Sequence, residues 1–224
     1  MSASEIRKKY GIDENAFMVF FNFDYASGYG RKNPEGAIRA FAKAFSKTDD
    51  NAILVLKTQN AARYSNRVNT VKNLAEELGV SDRTIMIEHY LPEKELYALT
   101  NACDVYLSLH RGEGFGLTLA EAMVMGRAVV CTDWSSTTEF CVSECAFPVP
   151  YKLVDVVPDM LGSVTYGKVV RWAEPDVDVA AAILRRLHDD PDLRKVVGDQ
   201  ARGRILNQFS VENFRRSVEE FLVN

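Results

Sequence analysis

The chain reads as α/β, a doubly wound parallel sheet, on three observations. Apolar runs of strand length alternate with amphipathic helical stretches from residue 17 to the end. The run Phe17-Met18-Val19-Phe20-Phe21-Asn22-Phe23 is so continuously apolar that it belongs at the centre of a sheet, covered on both faces. At residues 104–125 a strand pattern, a glycine turn and a run of strong helix formers follow one another directly.

In order, a short polar helix covers 4–10 and stops at Gly11. The first strand leads into Asp24-Tyr25-Ala26-Ser27-Gly28-Tyr29-Gly30-Arg31-Lys32-Asn33-Pro34, read as a long polar loop with two cations at its end. Pro34 opens a helix whose Ala37, Ile38, Phe41, Ala44 and Phe45 share one face. Residues 52–56 form the second strand, so that Lys57 emerges at its carboxyl end beside the crevice expected there. A long helix follows, with Val68, Val71, Leu74, Ala75 and Leu78 in register and Gly79 at its end. Residues 84–88 make the third strand, and His89-Tyr90-Leu91-Pro92 is the loop after it. Beyond 104–125, residues 128–131 are a strand and 132–140 a polar turn into a helix. Residues 147–154 and 171–176 flank an irregular stretch expected to loop over one edge. The remainder is helical, at 177–188, 191–207 and, after a Ser210 cap, 211–222.

The centre of the pattern is Glu113-Gly114-Phe115-Gly116-Leu117-Thr118-Leu119-Ala120-Glu121. A glycine turn into a helix leaves the first helical N–H groups without partners and aims them, with the positive end of the dipole, at whatever sits over the turn. A diphosphate fits that position. Gly114 and Gly116 let the backbone approach a ligand closely. Glu113 before the turn and Glu121 within the helix would both face the crevice, as acceptors for sugar hydroxyls.

The run 107–123 resembles the Glu-x7-Glu signature of family-4 (group 1) retaining glycosyltransferases, and the likeness extends from about Phe17 to the last helix. The resemblance implies the C-terminal half of a GT-B enzyme, in which two Rossmann-like domains hold the active site between them and the C-terminal one binds a nucleotide-sugar donor. It implies Lys32 as the loop lysine on the donor diphosphate, Glu113 as the group that orients the donor sugar and Glu121 as the holder of the ribose diol. It further implies Gly114, Phe115, Gly116, Leu117 and Thr118 as the turn over the diphosphate, and Tyr90 and Leu91 as neighbours of the nucleobase through the backbone of their loop. The family's usual Gly-Arg pair near the start of the first loop is missing. The stretch instead resembles a subgroup reading F-D-x-x-S with R-K-N-P after it, which leaves Arg31 or Lys57 as the second phosphate cation. Ser136 and Thr137 stand where that subgroup tends to show Gly-Asn, and Glu139 where it tends to show Asp. The mechanism implied is front-face displacement with retention of configuration, no cofactor and no bound metal. The subgroup favours GDP-mannose over UDP-sugars.

Composition bounds the reading. A chain of 224 residues is long enough for one α/β domain with a full core, and a net charge of −4 argues against a nucleic-acid surface. No apolar run reaches the length of a membrane span, and Met1-Ser2-Ala3-Ser4-Glu5 has no signal-peptide core. The expected location is cytoplasmic. Cys103, Cys131, Cys141 and Cys145 lack paired metal-ligand spacing and read as reduced thiols, most of them buried. Residues 1–16 read as an interdomain linker remnant, 17–208 as the donor-binding domain and 209–224 as a helix that packs toward an acceptor domain. The expected partners are therefore a nucleotide-sugar donor and that acceptor domain, which should precede Phe17. A truncated or naturally split hexosyltransferase and a noncatalytic nucleotide-sugar module working with a separate chain both fit.

Overall fold

The computed structural model describes residues 1–45, 51–156 and 171–223, the side chains of Ser217, Glu220, Leu222 and Val223 excepted. The stretch expected to loop over one edge falls largely at 157–170, outside the described residues. The strands are β1 (Phe17–Asp24), β2 (Ala52–Gln59), β3 (Thr84–Ile87), β4 (Val105–Ser108), β5 (Ala128–Thr132), β6 (Phe147–Val149), β7 (Tyr151–Asp155) and β8 (Arg171–Pro175). The helices are α1 (Ala3–Lys9), α2 (Tyr29–Lys32), α3 (Pro34–Ala44), α4 (Ser65–Glu77), α5 (Glu93–Ala102), α6 (Leu117–Val124), α7 (Val177–Asp189), α8 (Pro191–Gln208) and α9 (Val211–Val223).

Six strands form one parallel sheet in the order β3-β2-β1-β4-β5-β6, the doubly wound arrangement. β1 pairs with β2 along its whole length, from Phe17 opposite Ala52 to Asp24 opposite Gln59, and with β4 through Val19 and Phe20. Side chains of a strand alternate between faces. Phe17, Val19, Phe21 and Phe23 accordingly enter one core with Leu54, Leu56, Leu107 and Val130, covered by Ile38 and Phe41 of α3, Val71 of α4 and Leu184 of α7. Met18 and Phe20 enter the other with Val55, Tyr106 and Val129, covered by Ile6 of α1, Leu99 of α5, Met123 of α6 and Ala201 of α8. β1 is thus buried on both faces, as its sequence requires. β7 and β8 pair as a separate antiparallel ribbon.

The local chemistry explains most element ends. Ser2 and Glu5 form a reciprocal capping box on α1. Arg7, nearly buried, donates to the carbonyls of Ala16 (2.8 Å) and Ala102 (2.8 Å) and pairs with Asp104 (3.1 Å), which fastens the amino-terminal segment beneath β1 and β4. α5 is an element that the sequence reading leaves out. Its signal lies in Glu93 and Glu95 just after Pro92, with Leu96, Leu99 and Ala102 at helical spacing. The loop after β1 is also more ordered than its polarity suggests. It contains a 3-10 turn (Tyr25–Ser27) and α2, and it buries Tyr25 against Phe23 and Tyr29. α8 reaches α6 by close approach, since a Cβ on Gly198 would stand 2.1 Å from the Gly126 carbonyl oxygen.

Candidate functional site

β1 and β4 are neighbours whose connections leave in opposite directions, β1 toward β2 and β4 toward β5. Loops at such a switch point diverge and leave a crevice at the carboxyl ends of the strands. Here the two loops are also laced together. Asn33, in the left-handed region at φ 54°, caps α3 through Oδ1 and donates Nδ2–H to the Leu109 carbonyl at 2.9 Å. The Arg111 N–H donates to the Arg31 carbonyl at 2.8 Å, and Arg111 Nη1 donates to the Gly30 carbonyl at 2.8 Å. The same guanidinium pairs with Glu174 of β8 and lies 5.7 Å from the centre of the Trp172 ring.

That lacing brings Lys32 onto Glu113 as an ion pair, with Arg31 Nη1 at 3.4 Å from the other carboxylate oxygen. The Gly114 N–H donates to Glu113 Oε1 at 3.1 Å. Burial pushes the Glu113 carboxyl up, but the hydrogen bond and charge of Lys32, with the charge of Arg31, outweigh it and hold the group below its ordinary value. Arg31 is further tied to the carbonyls of Gly112 (2.7 Å) and Ser27 (2.9 Å), so its fork braces the crevice as well as charging it. Beside the pair, α6 begins at Leu117 after Gly116, whose φ is +90° and which offers no side-chain cap. α6 therefore opens over the Gly114–Gly116 turn without a side-chain cap for its first N–H groups.

A third loop closes the crevice from the β5 side. Ser135, at φ 75°, donates its hydroxyl to the Glu113 carbonyl and accepts the Glu113 N–H at 3.2 Å, while Ser136 donates to the same carbonyl at 3.2 Å. Thr137 packs so close that a Cβ on Gly116 would lie 2.6 Å from its Cγ2. Behind them His110 is fully buried between Ser108, Trp134 and Thr137. Neither Ser135 nor His110 stands out as a site residue in the sequence. The one available signal is their place within polar stretches that flank strand ends.

The remaining candidates scatter around this centre. Glu121 is absent from the Glu113 cluster. It lines an open apolar pocket of about 390 Å³ with Tyr97, Phe115, Leu117, Val124 and Phe209. Burial, and then the like charge of Glu93, raise its carboxyl above the ordinary value. The Phe115 ring packs tilted against Phe140 and edge-on against Phe209, and Leu117 is largely exposed. Thr118 is half-buried on the first turn of α6. Tyr90 projects into solvent after β3, whereas the Leu91 side chain is core, which leaves only its backbone for a ligand.

Lys57 corrects an expectation. β2 continues to Gln59, so Lys57 lies inside the sheet rather than emerging from it, fully buried and donating to the Thr58 carbonyl at 2.7 Å. Burial lowers the pKa of its ammonium, an effect partly offset by Asp24. All four cysteines are free and buried. Among the described residues no three His, Cys, Asp or Glu side chains gather as a metal site, and no helix is long and apolar enough to cross a membrane.

Comparison with known proteins bears on this geometry. The family model described as glycosyl transferases group 1 matches residues 2–144. A D-inositol 3-phosphate glycosyltransferase of Corynebacterium aurimucosum is 33% identical over 99 residues, covering 44% of this chain and 23% of that protein. The serotype-specific mannosyltransferase WbdA of Escherichia coli is 30% identical over 128 residues, covering 56% of this chain and 15% of that one. Among solved structures, Anabaena Alr3699/HepE in complex with UDP and glucose superposes with a TM-score of 0.74 at 18% identity, over 99% of this chain and 52% of HepE. The chain thus spans about half of that structure and less than half of these two relatives. With a doubly wound sheet, a carboxylate and lysine paired at its switch point and a family match over most of its length, the chain belongs to the group 1 glycosyltransferases.

Proposed function

We propose that this chain is the donor-binding half of a retaining glycosyltransferase that moves a hexose from a nucleoside diphosphate to a glycan or lipid-linked acceptor. The observation that carries the reading is the Lys32–Glu113 pair beside the uncapped start of α6. It supports the reading because a diphosphate leaving group calls for a cation and helix N–H groups, and sugar hydroxyls for a charged acceptor. As the sugar departs, negative charge grows on the diphosphate, and Lys32 and α6 stabilise it without needing to move a proton. Glu113 orients the sugar. Glu121 holds the ribose diol, and neither acts as a nucleophile of the kind hydrolases use.

Mannose is the sugar the reading favours, with GDP as its carrier. The support is the R-K-N-P loop and the likeness to a mannosyltransferase, whereas the complex of HepE contains UDP. A second half is assigned the acceptor, because the proteins matched are about twice as long or longer. Calorimetric titration with GDP, UDP and ADP tests the reading directly. The 224-residue chain is expected to bind one of them and to transfer no sugar by itself. Failure to bind any nucleoside diphosphate would sink the donor reading, and sugar transfer by the pure chain would sink the half-enzyme reading.

A further inference from the structure

His110 sits at the end of β4 with none of its surface exposed, yet both ring nitrogens have polar partners. Nε2 lies 3.2 Å from the Trp134 carbonyl oxygen, which can only accept, so Nε2 carries the proton. Nδ1 is then an acceptor in the neutral ring, and the Ser108 hydroxyl at 3.2 Å is its donor. Thr137 Oγ1 completes the set, donating to the Trp134 carbonyl at 3.1 Å and standing 3.3 Å from Nε2. Burial holds the ring below the ordinary imidazole range, in keeping with this neutral form.

What the ring holds matters more than the ring. Trp134 is followed by Ser135 at φ 75°, a left-handed conformation that strains a side-chain-bearing residue and persists only where its surroundings enforce it. In that conformation the Ser135 hydroxyl makes two bonds to the Glu113 backbone, and the Ser136 hydroxyl adds a third. The chain of contacts therefore runs from Ser108 through His110 to Trp134 and Thr137, then through Ser135 and Ser136 to Glu113.

We propose that His110 is a positioning residue of the donor site: its Nε2–H fixes the strained 134–137 turn, which in turn sets the Glu113 carboxylate over the donor sugar. The proposal rests on the donor-binding reading above. His110 touches no substrate in it. It acts by holding the β5-side wall of the crevice against the β4-side wall, the two surfaces between which the sugar end of a nucleoside diphosphate sugar would lie.

The test compares His110→Gln with His110→Asn. A Gln amide nitrogen reaches the place of Nε2 and restores the donor to Trp134, whereas the shorter Asn reaches only the place of Nδ1. Each variant is titrated with UDP and UDP-glucose and with GDP and GDP-mannose, alongside a thermal melt. Loss of one buried hydrogen bond corresponds to about tenfold in affinity. His110→Asn is expected to weaken the sugar nucleotide by about that factor while changing the free diphosphate far less, and His110→Gln is expected to restore it. If both variants behave alike, or if diphosphate and sugar nucleotide weaken equally, His110 is core packing and the proposal fails. If the unmodified chain binds no nucleotide, the donor reading fails instead. The positioning claim is then judged without ligand, from the Glu113 and Ser135 amide resonances, which must move in His110→Asn and stay in place in His110→Gln.

Discussion

Lys32 and Glu113 stand 81 positions apart in the chain and meet as an ion pair across the switch point of the sheet. Both side chains are mostly shielded from water, at 15% and 11% exposure, so the contact is stronger than a surface pair. It also presets the crevice, because the carboxylate holds the lysine in place.

Lys32→Ala should therefore weaken a nucleoside diphosphate by about tenfold to a hundredfold, the worth of a charge-assisted hydrogen bond at about 1.5–3 kcal/mol. The free nucleoside carries no charge for the lysine to meet and should bind nearly unchanged. Calorimetry with both ligands decides it, and equal losses would mean that the lysine acts through folding.

Glu121 should show opposite effects on binding and on stability. Glu121→Ala is expected to weaken nucleotide binding by about tenfold to a hundredfold, through loss of a charged acceptor for the ribose diol. Because burial and Glu93 raise its carboxyl above the ordinary 4.5, the folded state binds more protons than the unfolded one just above that value. Stability then falls as pH rises from about 4.5 through the raised pKa. Glu121→Gln removes that loss. Its melting temperature should exceed that of the unmodified chain at pH 7, and the gain should vanish as the pH is lowered below 4.5. Thermal melts across pH check the sign, and an identical profile for the two proteins would contradict it.

Gly198 and Gly116 should resist even alanine. A Cβ at Gly198 would meet the Gly126 carbonyl oxygen at 2.1 Å, a backbone atom that has no side chain to move aside, and would force α8 away from α6. Overpacking of this kind costs about 1–3 kcal/mol. At Gly116 the strain of φ +90° adds to a 2.6 Å contact with Thr137, so Gly116→Ala should lower the denaturation midpoint and weaken nucleotide binding together. Urea titration measures the first and calorimetry the second. Gly198→Ala should affect stability alone.

α9 presents Val211, Phe214, Val218 and Phe221 to solvent, with Phe214 at 72% and Phe221 at 82% exposure. These side chains are therefore uncovered in this chain, while the Leu222 side chain lies outside the described ones. An uncovered apolar stripe is a surface that a partner could bury. Replacing Phe214 and Phe221 by Ser should change folding stability by less than about 0.5 kcal/mol, because neither side chain is packed. The same pair should reduce self-association or binding of an acceptor domain, read by sedimentation. A large drop in stability would show instead that the helix packs on its own chain.

Much of this protein is legible in its residues alone. The continuous apolar run 17–23 demands a central strand, and alternating helices and strands demand a parallel sheet, because local periodicity and burial are two views of one pattern. The glycine turn into α6 is equally legible, since Gly116 carries its own backbone preference. The chain by itself thus determined the class of fold, the place of the glycine turn into α6 and the identities of Lys32, Glu113 and Glu121 as candidates.

Only the tertiary structure decided how those candidates are used. It set Lys32 on Glu113, placed Glu121 on an apolar pocket with Phe115 and Leu117 and drew Lys57 inside β2, where strand pairing with Asn22 and Ile87 extends the sheet past the apolar residues. It also supplied His110 and Ser135, whose roles depend on partners from other strands and loops. Such contacts join segments far apart in sequence, and neither the spacing nor the chemistry of one segment specifies which distant carbonyl a ring nitrogen will meet. The sequence states what each segment can do; packing the sheet chooses which of those capacities face one another.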